Sequence, residues 1–118
     1  TKADSSSWKD KSWVIGVRNG KETKAYDWNM LKEKRIIHDW LNDQPVTIVL
    51  ASDDKSFFAL QRPAANDVIA LQNDTLYFQG HKYRFDGRGI DTSYSLKLLP
   101  AYQEFWHSWR TFNPDTKK

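Results

Sequence analysis

Apolar positions along this chain come in short runs divided by small polar clusters, which is the signature of strands more than of helices. The runs at 13–18 and 22–26 flank Asn19-Gly20, residues that accept the positive φ of a type I′ hairpin turn. A second hairpin is predicted from the runs at 35–41 and 45–50, joined through Asn42-Asp43-Gln44. The run at 56–61 follows as another strand and ends at Pro63, which cannot donate to a ladder. Runs at 68–71, 75–78 and 82–85 predict a meander that turns at Asn73-Asp74 and Gln79-Gly80. A glycine-bearing loop covers 86–89, and 95–99 reads as a last strand.

Two stretches depart from the strand pattern. Asp27 can cap one or two helical turns reaching Lys32. Pro100 suits the first turn of a helix over 101–111. Within it Tyr102, Phe105, Trp106 and Trp109 fall at i, i+3, i+4 and i+7, one helical face that should pack on the sheet. The expected fold is therefore mainly β, α+β at the margin. Antiparallel hairpins and the meander form a compact sheet or open barrel, with one short internal helix and one C-terminal helix on the sheet. A Ser-rich polar arm or linker is expected over 1–12, a single β-rich domain over 13–112 and a polar tail over 113–118.

Composition narrows the function classes. With 118 residues the chain can bury one modest core, and its six Trp, six Phe and five Tyr supply much of the area. The net charge of +3 is spread thinly, because 18 bases face 15 acids and no long basic run occurs, so a nucleic-acid partner is disfavoured. There is no cysteine, which excludes disulfides and thiolate metal sites. No apolar run approaches the roughly 20 residues that span a bilayer. No signal peptide is visible and the chain starts at Thr1, so a domain cut from a longer precursor is expected.

The motifs Ile15-Gly16-Val17, Asn19-Gly20, Ala25-Tyr26, Leu31, Ile36-Ile37-His38-Asp39 and Pro45-Val46 follow one another in a fixed frame. Leu98-Leu99-Pro100, Trp106-His107-Ser108-Trp109-Arg110 and Asn113-Pro114-Asp115-Thr116 complete it. In this order they resemble the bacterial domain-of-unknown-function family 3179, over about 14–62 and 96–116. That resemblance implies a Cys-Pro-x-Cys at 51–54, where this chain has Ala51, Ser52, Asp53 and Asp54. A family His and Asn are replaced by Lys34 and His38, and a long middle segment by the short meander. The resemblance also implies an extracytoplasmic, periplasmic or membrane-anchored, setting in a longer precursor.

Candidate chemistry follows from these positions. Asp53 and Asp54 could bind a cation or exchange a proton, and adjacent aspartates before Lys55 also make an ordinary solvated turn. His38 and Asp39 point to opposite strand faces and cannot act as a dyad. His38, His81 and His107 lie in separate elements with no metal-ligand spacing, so no metal or cofactor is expected. Trp13, Trp106 and Trp109 read as core, whereas Trp8, Trp28 and Trp40 are expected to be more exposed and to contact a ligand or partner. The first function reading is an uncharacterised non-catalytic binding or interaction module, with a protein or carbohydrate ligand, that has lost its family's reactive residues. The alternative is a hydrolase or metal-dependent enzyme using Asp53, Asp54 and His38, with His107 as a further candidate.

Overall fold

The computed structural model describes residues 8–63 and 67–118. Among these residues, ten strands and two helices follow the hairpin logic of the sequence closely until residue 100. Strands β1 (Trp13–Asn19) and β2 (Glu22–Asp27) pair antiparallel. Positive φ falls on Gly20 alone, the first of two loop residues, where a type II′ turn takes its glycine. Asn19 instead belongs to β1, and its buried amide donates to Leu41 O at 3.0 Å and to Gln44 Oε1 at 2.9 Å. The end of the first hairpin is thereby tied to the turn of the second. Helix α1 (Trp28–Lys34) starts at Asp27, whose carboxylate accepts from Asn29 N, and it ends on Arg35 in the left-handed region. Leu31 is its one buried residue and enters the core.

Strands β3 (Ile36–Leu41) and β4 (Gln44–Leu50) turn through Asn42 and Asp43, both with positive φ as a type I′ turn requires. Strand β5 (Phe57–Gln61) adds to β4. The meander comprises β6 (Ala70–Gln72), β7 (Thr75–Phe78) and β8 (His81–Tyr83). After a loop that includes Gly87, strand β9 (Lys97–Leu99) pairs with β5.

The segment after Pro100 differs from its expected helix. Strand β10 (Ala101–Phe105) pairs antiparallel with β1, and only then does helix α2 (Trp106–Phe112) begin. Tyr102 and Phe105 therefore sit on a strand, while Trp106 and Trp109 keep the buried helical face. The reason is tertiary. Strand β1 offers a bare ladder edge, and burying its backbone groups outweighs the helical spacing of four aromatic side chains.

Among the described residues the named strands pair antiparallel in three sheets, ordered β10-β1-β2, β3-β4-β5-β9 and β6-β7-β8, and Lys117 alone bridges to Lys24 in parallel. They stack in layers. Ile15, Val17 and Tyr26 of the first sheet meet Val46, Ile48, Leu50, Ala59 and Leu99 of the second. On the second sheet's other face, Val49 and Leu60 pack on Leu76, Phe78 and Tyr83 of the meander. Val14 and Ala25, on the outer face of the first sheet, are covered by Trp106 and Trp109. Each fully buried Ile or Leu here contributes about 2 kcal/mol, so Ile48→Ala would remove a large share of a marginal stability. Gly16 permits the helix to dock, because a Cβ there would lie 2.4 Å from the Trp109 ring.

Both termini of the described chain are engaged. Lys117 pairs with β2 through Ala25 N to Lys117 O at 2.8 Å and Lys117 N to Thr23 O at 2.9 Å. Thr116 accepts the Trp109 indole N–H at 2.8 Å. At the other end Ser12 O and Asp10 O accept from Trp106 N and His107 N, so residues 8–12 lie against the start of α2. The remainder of the expected arm, 1–7, lies outside the described residues.

Candidate functional site

The turn after β4 places the two aspartates in local bonds. The Asp53 carboxylate accepts from Ser56 Oγ at 2.6 Å, Ser56 N at 2.8 Å and Lys55 N at 2.9 Å. The Ser56 hydroxyl, then the two backbone N–H groups, hold its pKa down to about 2. Asp54 has a positive φ of 60° and forms an ion pair with Arg35. The same guanidinium donates to Ala51 O at 2.5 Å. Arg35 thus ties the end of α1 to the turn.

His38 stands apart from that turn. It faces the meander side of β3, and its Nε2 lies 3.1 Å from both the N–H and the C=O of Ile69. One tautomer accepts from the N–H; the other donates to the carbonyl. Burial and the positive charge of Arg62 lower its pKa, and the Ile69 carbonyl only partly opposes them. Arg62 itself is 4% exposed. It donates to Val46 O at 2.6 Å and to Thr47 Oγ1 at 2.9 Å, while its Nε has no partner among the described residues.

The other histidines lie on other surfaces. His81 is 3.5 Å from Asp91, in the meander region, and His107 is 4.0 Å from Asp10, which also takes Arg110 at 2.7 Å. No group of three or more His, Asp or Glu is placed to hold a metal ion among the described residues. The four candidates Asp53, Asp54, His38 and His107 do not converge.

A polar cluster that the sequence reading did not single out lies between β2 and β3. The Asp39 carboxylate accepts from Lys24 Nζ at 2.6 Å and from the Tyr26 hydroxyl at 2.7 Å. Lys24 and Tyr26 are two apart on β2 and so share a face, with the ammonium 5.3 Å from the Tyr26 ring centre. Burial would raise the Asp39 pKa, but the bonds from Lys24, Tyr26 and the Trp40 backbone more than offset it and the pKa falls. Burial, then the Asp39 bond and charge, drive the Tyr26 pKa upward. The signal in the sequence was the Lys-x-Tyr spacing on one strand and an acid on a neighbouring strand.

The tryptophans divide differently from expectation. Trp40 is 54% exposed and lies opposite Pro45. Trp28 is half-buried edge-on to Phe57, with ring centres 6.1 Å apart. Trp8 is also half-buried, edge-on to Trp106 at 5.1 Å. Trp13, expected in the core, is 45% exposed and stacks on Phe105 at 4.1 Å. Trp13, the first residue of β1, lies outside the core clusters that hold Val14 and Ile15.

These features define a mainly β domain of stacked antiparallel sheets, with polar side chains used as ties between elements and several aromatic rings facing water. The chain belongs to the family described as Protein of unknown function (DUF3179), which matches residues 1–116. The match thus includes the meander that lay outside the resemblance read from motifs. No curated protein and no solved structure matches the chain. No helix among the described residues is long and apolar enough to cross a membrane.

Proposed function

We propose that this domain is a non-catalytic binding or interaction module whose ligand is a protein or a carbohydrate. The observation that carries the reading is the fate of the candidate reactive groups. Asp53 is bonded within its own turn, Asp54 is paired with Arg35, and His38 is engaged by Ile69. A hydrolytic or metal-assisted mechanism needs such groups to meet around one reacting atom. Trp40, exposed beside Pro45, offers a flat ring for stacking on a sugar face or an apolar partner. In this reading Ala51 and Asp54 stand where an ancestral cysteine pair stood, and the turn's bonds replaced a reactive centre with a structural one. Kinship also supports a bacterial, extracytoplasmic setting, which fractionation of the cells that express the protein tests directly.

A thermal-shift screen across sugars and divalent metals tests the module, since a ligand of the folded state raises the midpoint. A sugar should raise the native midpoint and leave Trp40→Ala unmoved. A metal-dependent rise that disappears in Asp53→Asn or Asp54→Asn would favour the enzyme reading instead.

A further inference from the structure

The two edges of the first sheet are treated differently. Along β2, the backbone of Lys117 adds hydrogen bonds, and its side chain pairs with Glu22. Along β10, no strand pairs on the outer side among the described residues. The register fixes which groups are left. Arg18 N donates to Pro100 O and Trp106 N to Ser12 O, so Pro100, Tyr102, Glu104 and Trp106 direct their backbone groups at β1. Ala101, Gln103 and Phe105 direct theirs outward. An exposed row of unpaired N–H and C=O groups is a template for another strand.

The side chains on this edge are self-complementary. At one end, Phe105 and the Trp13 stacked on it form an apolar knob, 38% and 45% exposed. At the other end, beside Ala101, a depression of about 290 Å³ is lined by Phe57, Phe58, Leu98, Pro100 and Tyr102. Ala101 and Phe105 are equidistant from Gln103. Antiparallel pairing of two β10 strands about Gln103 therefore sets the knob of each copy against the depression of the other. Directly opposed residues share a face, and Phe105 and Ala101 both lie on the side of β1 that carries Trp13, Ile15 and Val17. The only charge on the strand, Glu104, falls opposite Tyr102, so no like charges are directly opposed. We propose that the partner of this edge is a second copy of the same chain, joined by an isologous β10–β10 contact that makes one continuous six-stranded sheet. This contact lies on a different sheet from Trp40 and stands independently of that residue's role.

Sedimentation velocity over a concentration series tests it. The native chain should dimerise. Phe105→Ser removes both knobs and should weaken association by about 100-fold. Gln103→Lys sets two ammonium groups opposite each other at the two-fold axis and should weaken it by about fivefold. Gln103→Glu should do the same, and an equimolar mixture of the two charged variants should recover the native affinity. Gln103 is exposed and its backbone points away from β1, with no partner among the described residues, so both variants should keep the native circular dichroism. Recovery in the mixture is specific to a register in which residue 103 meets itself. A native chain that stays monomeric at about 100 µM, well above typical working affinities, would overturn the proposal. So would a dimer unaffected by Gln103→Lys, or charged variants whose mixture associates no better than either alone.

Discussion

Asp39 and Asp53 are both bonded carboxylates with lowered pKa values, yet they are embedded in opposite ways. Asp53 takes its donors from residues two and three positions away, in an exposed turn. Asp39 takes its donors from β2, 13 and 15 residues earlier, in a half-buried seam between two sheets. A local bond shapes one loop and can be replaced by water when the chain opens. A seam bond is formed only when two sheets are already in place, and its loss leaves two donors without an acceptor. Similar carboxylate chemistry therefore carries different weight in the fold.

The largest effect should come from Asp39→Ala. It strands a half-buried ammonium and a phenol, and should cost about 2–3 kcal/mol in urea unfolding. Tyr26→Phe removes one donor and leaves the Lys24 pair, so about 1 kcal/mol is expected from the same measurement. If the two variants proved equal, the ion pair would add nothing and the seam would amount to a single hydrogen bond.

Next in size are two effects of pH. His38 has a folded pKa below the usual 6.5. The unfolded chain then binds the proton first, so stability is complete above pH 6.5 and falls as pH drops through the folded value. The ring is open to water on one side, and the loss should be at most about 0.5 kcal/mol. His38→Gln should flatten that slope in a series of unfolding curves between neutral and mildly acid pH.

Asp53→Asn should be the mildest change at neutral pH, because an amide oxygen can still accept from Ser56 and Lys55. Its mark is at the acid end. A carboxylate with pKa about 2 when folded adds stability above its unfolded value of about 4, and loses it as pH falls toward 2. The variant should lack that portion of the acid limb. A large loss at neutral pH would mean that the turn, rather than the seam, holds the fold.

Legibility in the sequence followed the range of the cause. Asn42-Asp43, Gln79-Gly80 and the Asp27 cap act within a few residues, and each produced the expected turn or helix start. The turn at Asp53 and Asp54 was visible for the same reason. Strand β10 was not, because its partner β1 lies more than 80 residues earlier and nothing local announces an available edge. Aromatic spacing at 102, 105, 106 and 109 fitted a helix, and half of it became strand. Trp13 illustrates the same limit. Its place on a strand was readable, but whether the facing sheet reaches that far was not. Among polar positions, the opposite facing of His38 and Asp39 was legible from strand alternation. Their partners, Ile69 and the Lys24–Tyr26 pair, became visible only once the sheets were assembled.

The layering gives β4 an unusual position, because Val46, Ile48 and Leu50 are covered from one side and Val49 from the other. Water reaches neither side of its stretch from Val46 to Leu50 while both neighbouring sheets remain docked. Loss of the meander alone would bare one face, and loss of the β1 sheet alone would bare the other. Amide hydrogens of β4 should therefore exchange with deuterium only through complete unfolding, as the last in the chain to do so.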